Sequence, residues 1–113
     1  MDTYGLYFLA TKAAVDIDNY RKNKTPEGKS VQQLSQALDK SAQRGNLGDI
    51  AILGNSFSRI RQFPKCICVR DTLLETRSTA KSLRDFKDLP ETEQEKLANF
   101  CVKLSKELSS LVA

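Results

Sequence analysis

The stretch that decides the fold is Thr92-Glu93-Gln94-Glu95-Lys96-Leu97-Ala98-Asn99-Phe100-Cys101-Val102-Lys103-Leu104-Ser105-Lys106-Glu107-Leu108-Ser109-Ser110-Leu111. Leu97, Phe100, Cys101, Leu104, Leu108 and Leu111 recur at helical intervals, so they line one face of an α-helix. No proline or glycine interrupts them. Thr92 and Glu95 stand at capping-box spacing, which sets the expected helix start at Thr92. A helix with a single apolar face is stable in water only against other such faces, so the rest of the chain must supply them.

Four further segments do so. Residues 65–87 carry Val69, Leu73, Ala80 and Leu83 as a helical stripe, while the opening Cys66-Ile67-Cys68-Val69 fits either a helix or a short strand. Residues 49–62 open at Asp49 and carry Ile50, Leu53, Phe57 and Ile60. Gly54 weakens that helix by about 1 kcal/mol, and Pro64 stops it. Thr25 is a suitable cap with Pro26 in the first helical position, followed by Val31, Leu34, Leu38 and Ala42 up to a Gly45-Asn46 terminus. Residues 3–22 pair one face of Tyr4, Tyr7, Phe8, Thr11, Ala14 and Val15 with an adjoining face of Ala10, Ala13, Ile17 and Tyr20. So wide an apolar arc predicts a central helix covered on more than one side. Five such segments, short connections and no hairpin signal predict an all-α fold: a compact bundle of about five helices, one domain over residues 1–113.

Composition excludes several functions. The 113 residues are 40% hydrophobic and 28% charged, so a core is feasible without metal or disulfide. The absence of histidine removes Ser-His-Asp and Cys-His nucleophile systems and every histidine-ligated metal. Ser30, Ser56, Ser58, Ser109 and Ser110 therefore have no imidazole to activate them. Cys66, Cys68 and Cys101 are odd in number, unlike a secreted disulfide framework, and three thiolates cannot complete the usual four-ligand zinc site unless a carboxylate or a second chain joins them. On a helix Cys66 and Cys68 diverge by about 200°, so core packing is the simpler reading. Asp16 and Asp18 form a DxD pair, but in a helix their carboxylates also diverge and mark a polar edge. Gly45-Asn46-Leu47-Gly48 has the glycines of a phosphate loop without its Gly-Lys-Ser/Thr. No catalytic residue, metal ligand or cofactor is identified, and a non-enzymatic protein is expected.

The N-terminus lacks a basic signal-peptide start, and the apolar run from Tyr4 to Ile17 is shorter than the ~20 residues of a membrane span. A soluble cytoplasmic protein with no membrane contact is expected.

The net charge is +4, from 18 basic and 14 acidic residues, and its excess lies mid-chain. Residues 30–64 and 65–88 each carry +2, whereas residues 89–113 carry −1. Arg70, Arg77, Lys81 and Arg84 fall within about 60° of one another on a helix. Arg59, Arg61 and Lys65 continue them around Pro64. Such a row suits a phosphate backbone, which guanidinium groups grip bidentately with release of counterions. Phe57 or Phe63 could stack on an unpaired base. Against this stands a solvated face, in which Asp71, Glu75, Asp85 and Asp88 pair with these cations along the same helix.

The opening Tyr4-Gly5-Leu6-Tyr7-Phe8-Leu9-Ala10 is similar to the start of the helical C-terminal region of some CRISPR large subunits. Gly54-Asn55-Ser56-Phe57-Ser58-Arg59-Ile60-Arg61 is similar to their basic helix. The chain thereby resembles the small helical subunits of CRISPR interference complexes. The resemblance implies a non-catalytic subunit of a larger ribonucleoprotein complex. Several copies would line that complex and bind single-stranded RNA or DNA through its backbone, beside other protein subunits. The alternative is a helical adapter or regulator that binds protein. It would show an exposed apolar groove on the C-terminal helix or on the face of residues 4–20.

Overall fold

Which faces carry leucine and alanine decides how the helices meet. In the structure, a computed structural model, residues 3–23, 29–44 and 69–112 are described, with side chains for 4–23, 29–43 and 73–110. They form α1 (Thr3–Asn23), α2 (Ser30–Arg44), α3 (Val69–Arg84), a 3-10 turn (Phe86–Asp88) and α4 (Glu91–Val112). No strand occurs among the described residues, and the fold is all-α. The expected segment 49–62, the Thr25-Pro26 start, the Gly45-Asn46 terminus and the alternative conformations of residues 66–68 lie outside the described residues.

Five contacts between elements fix the directions. The Tyr20 ring meets the Phe86 ring edge-on at 5.3 Å just before α4, and the Thr11 and Ser105 hydroxyls meet at 2.7 Å further along, so α1 and α4 are antiparallel. Ser30 Oγ at the start of α2 donates to the Asp16 carboxylate on α1. Ser35 Oγ donates to the Ala80 carbonyl at 2.7 Å, and Gln32 Nε2 to the Arg84 carbonyl at 3.2 Å, so α3 runs antiparallel to α2. The helices thus alternate in direction, as in an up-down bundle. α1 packs between α4 and α2, α2 between α1 and α3, and α3 scarcely meets α4. α1 and α3 are therefore opposite corners. The Cα radius of gyration is 13.1 Å, close to the ~13 Å of a folded chain of 100 residues.

The core is one cluster built from every helix. Ala10, Ala13 and Ile17 of α1 meet Val31, Leu34 and Leu38 of α2, Ala80 and Leu83 of α3, and Leu97, Phe100, Cys101, Leu104 and Leu108 of α4. The α2 stripe and the α4 stripe from Leu97 to Leu108 are buried as the sequence predicts, and the Leu111 side chain is outside the described set. Three expectations differ. First, α1 lies between two helices as expected, but its Tyr4 face is not covered by either. Its Ala10–Ala13–Ile17 face is buried, but Tyr4, Phe8 and Val15 are exposed at 63%, 58% and 54%. Both neighbours approach on the alanine side, where small side chains permit the closest backbone contact.

Second, α4 starts at Glu91, so Thr92 sits inside the first turn rather than capping it. The Pro90 carbonyl receives the Glu93 and Gln94 N–H groups at 3.0 Å. The buried Gln94 amide donates to the carbonyls of Phe86 and Leu89, both at 3.2 Å, tying the turn to the helix. Third, the helix expected over 65–87 ends at Arg84, and Phe86 enters the core from the 3-10 turn, fully buried. Helical periodicity cannot find a core residue that lies off the helix.

Urea denaturation checks this account. Phe86→Ala should cost about 3–5 kcal/mol, because a buried aromatic leaves a cavity. Gln94→Ala should cost about 1–2 kcal/mol through two lost hydrogen bonds, and Thr92→Ala less than about 0.5 kcal/mol.

Candidate nucleic-acid interface

α3 presents its basic residues because its other side is committed to the bundle. Thr76, Thr79, Ala80 and Leu83 point inward and are buried, and the Ser35–Ala80 hydrogen bond fixes the rotation of the helix against α2. The arc a quarter to half a turn from the middle of that face then faces outward. Arg77, Lys81 and Arg84 are all exposed. They span about 10 Å along the axis at 1.5 Å per residue. Arg70 shares their side by helical register, although its side chain is outside the described set. Arg59, Arg61 and Lys65 lie outside the described residues. Three of the seven expected contacts are thus brought together, and a fourth lies in register with them.

The three differ in their freedom. Arg77 and Lys81 form no side-chain hydrogen bond or ion pair among the described residues. The intrahelical pairing that would satisfy them is not seen. Arg84 is partly engaged: its Nη2 lies 3.5 Å from Asp39 Oδ2 on α2, with the two side chains 52% and 31% exposed. A single contact of that length in water contributes well under ~1 kcal/mol, so Arg84 can exchange Asp39 for another anion at little cost.

Two features of this face escape the sequence pattern. Asp39 is unremarkable on α2, and only the antiparallel register brings it to Arg84. Leu74 lies within the basic row with 55% of its surface exposed. Its neighbour Leu73 takes the inward position of the stripe, so the pair cannot both be core. The row is therefore not purely ionic.

The remaining candidates resolve into structural roles. Asp16 accepts from Ser30, while Asp18 pairs with Lys22 at 3.2 Å on the outer surface, so the DxD carboxylates do diverge. Ser109 and Ser110 donate back to the carbonyls of Lys106 and Glu107 at 2.8 Å. No cluster of three cysteine or acidic side chains able to hold a metal occurs among the described residues. Likewise, among them no helix is long and apolar enough to cross a membrane. Cys101 is fully buried, and burial pushes its thiol up from 9.0 to about 12, because a thiolate in the core would be unsolvated. No protein-family profile, curated protein or solved structure matches this chain.

The Cys101 environment sets a pH dependence. A folded-state pKa above the unfolded one makes its contribution whole below pH 9 and erodes it as pH rises toward about 12. Stability should fall over that window by up to ~1.4 kcal/mol per pH unit from this group. Iodoacetamide at pH 8 followed by peptide mapping should find Cys101 unmodified when folded and modified in urea.

Proposed function

We propose that this protein is a non-catalytic helical subunit that holds a single-stranded nucleic-acid backbone within a larger ribonucleoprotein complex, in the manner of the CRISPR small subunits its sequence resembles. The observation that carries the reading is the freedom of Arg77 and Lys81. They are two exposed cations on one helical face with no ion pair among the described residues, joined by the weakly engaged Arg84. A row of this kind binds phosphates through charge and counterion release, with little regard to base identity. Arg59, Arg61, Lys65 and Arg70 extend it in the sequence, and Leu74 offers an apolar surface beside it. No cofactor is required, several copies along one strand fit a backbone-tracking surface, and a reducing cytoplasm suits three cysteines.

A second reading, a helical adapter acting through protein contacts, is favoured by a different observation. Tyr4, Phe8 and Val15 form an exposed apolar stripe on α1, one of the two surfaces on which such an adapter was expected to show it.

Titration of labelled single-stranded RNA and DNA at several salt concentrations tests the first reading. Four or five phosphate contacts should give a log–log slope of about −3. Arg77→Glu combined with Lys81→Glu should flatten it by about 1.4, the share of two contacts. Asp39→Asn should steepen it by about 0.7, by releasing Arg84, while changing stability by less than ~1 kcal/mol. No binding at low salt, or an unchanged slope in the double variant, would reject the phosphate reading.

A further inference from the structure

The apolar stripe on α1 continues onto α4. The Thr11–Ser105 hydroxyl contact joins the two helices at this surface. Their antiparallel register sets Val102, itself exposed, level with Val15. The larger side chains of Tyr4 and Phe8 on α1 thus stand beside the smaller Val102 on α4, with the two hydroxyls between the helices. A stepped surface of this kind receives the ridge of a helix, where two flat faces would leave gaps. The exposed parts of Tyr4, Phe8, Val15 and Val102 amount to on the order of 400 Å², taking about 200 Å² for a whole aromatic side chain. That is half the ~800 Å² per partner of a stable complex, and the size of a reversible contact.

The charge around the stripe selects the occupant. Lys12 borders it on the outer side of α1, and Lys103 and Lys106 border it on α4, all exposed and none paired through its side chain among the described residues, whereas the exposed Asp18 one turn past Val15 is already paired with Lys22. A second copy fits poorly. A two-fold axis parallel to the helices sets Lys12 of one copy over Lys103 and Lys106 of the other. An axis across the helices sets Lys12 over Lys12 and the α4 lysines over one another. Either arrangement that stacks the apolar rows opposes like charges.

We propose that the α1–α4 face is a docking site for an amphipathic helix of a different protein, one whose apolar ridge is flanked by Asp or Glu residues. The apolar ridge fills the step between Phe8 and Val102, and the acidic flanks meet Lys12 on one side and Lys103 and Lys106 on the other. The inference rests on the adapter reading and adds the chemistry of the partner. It is independent of the phosphate reading, because it uses no residue of the basic row on α3.

The test is fluorescence anisotropy of the full chain with two labelled helical peptides of ~18 residues, about five turns. Both carry leucines at every third and fourth position; one has glutamate elsewhere and the other lysine. The glutamate peptide should bind with a Kd on the order of 10–100 µM, as a contact of this size allows, and the lysine peptide should not. Phe8→Asp and the pair Lys12→Glu/Lys106→Glu should each weaken binding about tenfold or more, a loss in the range of interface anchors, with the helical circular dichroism unchanged. The Arg77→Glu/Lys81→Glu chain should bind the glutamate peptide as the native chain does. Equal binding of both peptides, abolished by Phe8→Asp, would overturn the acidic-partner inference and leave the adapter reading standing. No binding, or no effect of Phe8→Asp, would overturn both. Concentration-dependent dimers in sedimentation that Phe8→Asp dissolves would assign the face to a second copy. Binding only to vesicles containing phosphatidylserine would assign it to a membrane surface, and either result rejects the proposal.

Discussion

The structure depends on the seam where Ala10, Ala13 and Ile17 of α1 are enclosed between α2 and α4. Alanine contributes little apolar area by itself, but it lets two helices approach a third closely. Leu34 and Leu38 on one side and Leu104 and Leu108 on the other then share a single dry interior. Because both described neighbours use the same side of α1, no other described helix covers the opposite side. The exposure of Tyr4, Phe8 and Val15 is a direct result of that choice. These residues extend the apolar arc of α1 past what its neighbours can cover, and the excess remains available for contact.

α3 is placed by a different kind of interaction. Its inward face carries Thr76 and Thr79 as well as Ala80 and Leu83, so burial alone would specify its rotation loosely. The buried Ser35 hydroxyl on the Ala80 carbonyl and the Gln32 amide on the Arg84 carbonyl set it directionally. A rotation of one residue would break the first of these bonds and carry a cation toward the core. The outward presentation of Arg77 and Lys81 is thus held by polar contacts of α2, remote from any ligand.

Much of this was legible in the sequence where period and packing agree. The α4 face from Leu97 to Leu108 and the α2 stripe from Val31 to Ala42 are buried as their spacing implies, because each helix has one apolar side and one neighbour-facing direction. Legibility failed where a residue's partner belongs to another element. Thr92 looked like a cap because of Glu95, yet the Pro90 carbonyl and the Gln94 amide organise that end. Phe86 lies in a turn that no helical period reaches. Tyr4 and Phe8 have core-like chemistry and helical spacing, and only the number of neighbours around α1 decides that they face water. Of the basic residues, the alignment of Arg77, Lys81 and Arg84 could be read from their intervals, whereas the Asp39 contact required the register of α2 against α3.

The scant contact between α3 and α4 has a mechanical meaning. α3 is joined to the bundle chiefly through α2, and α1 stands on the far side of that same helix. Among the described residues, a load on α3 reaches α1 chiefly through α2 and its leucine seam. Coupling between distant sites needs an element with alternative states that both sites bias. Were both outer faces occupied with α2 in this one arrangement, their occupancies would combine without cooperativity. Such a subunit would act as a spacer of fixed geometry instead of a switch.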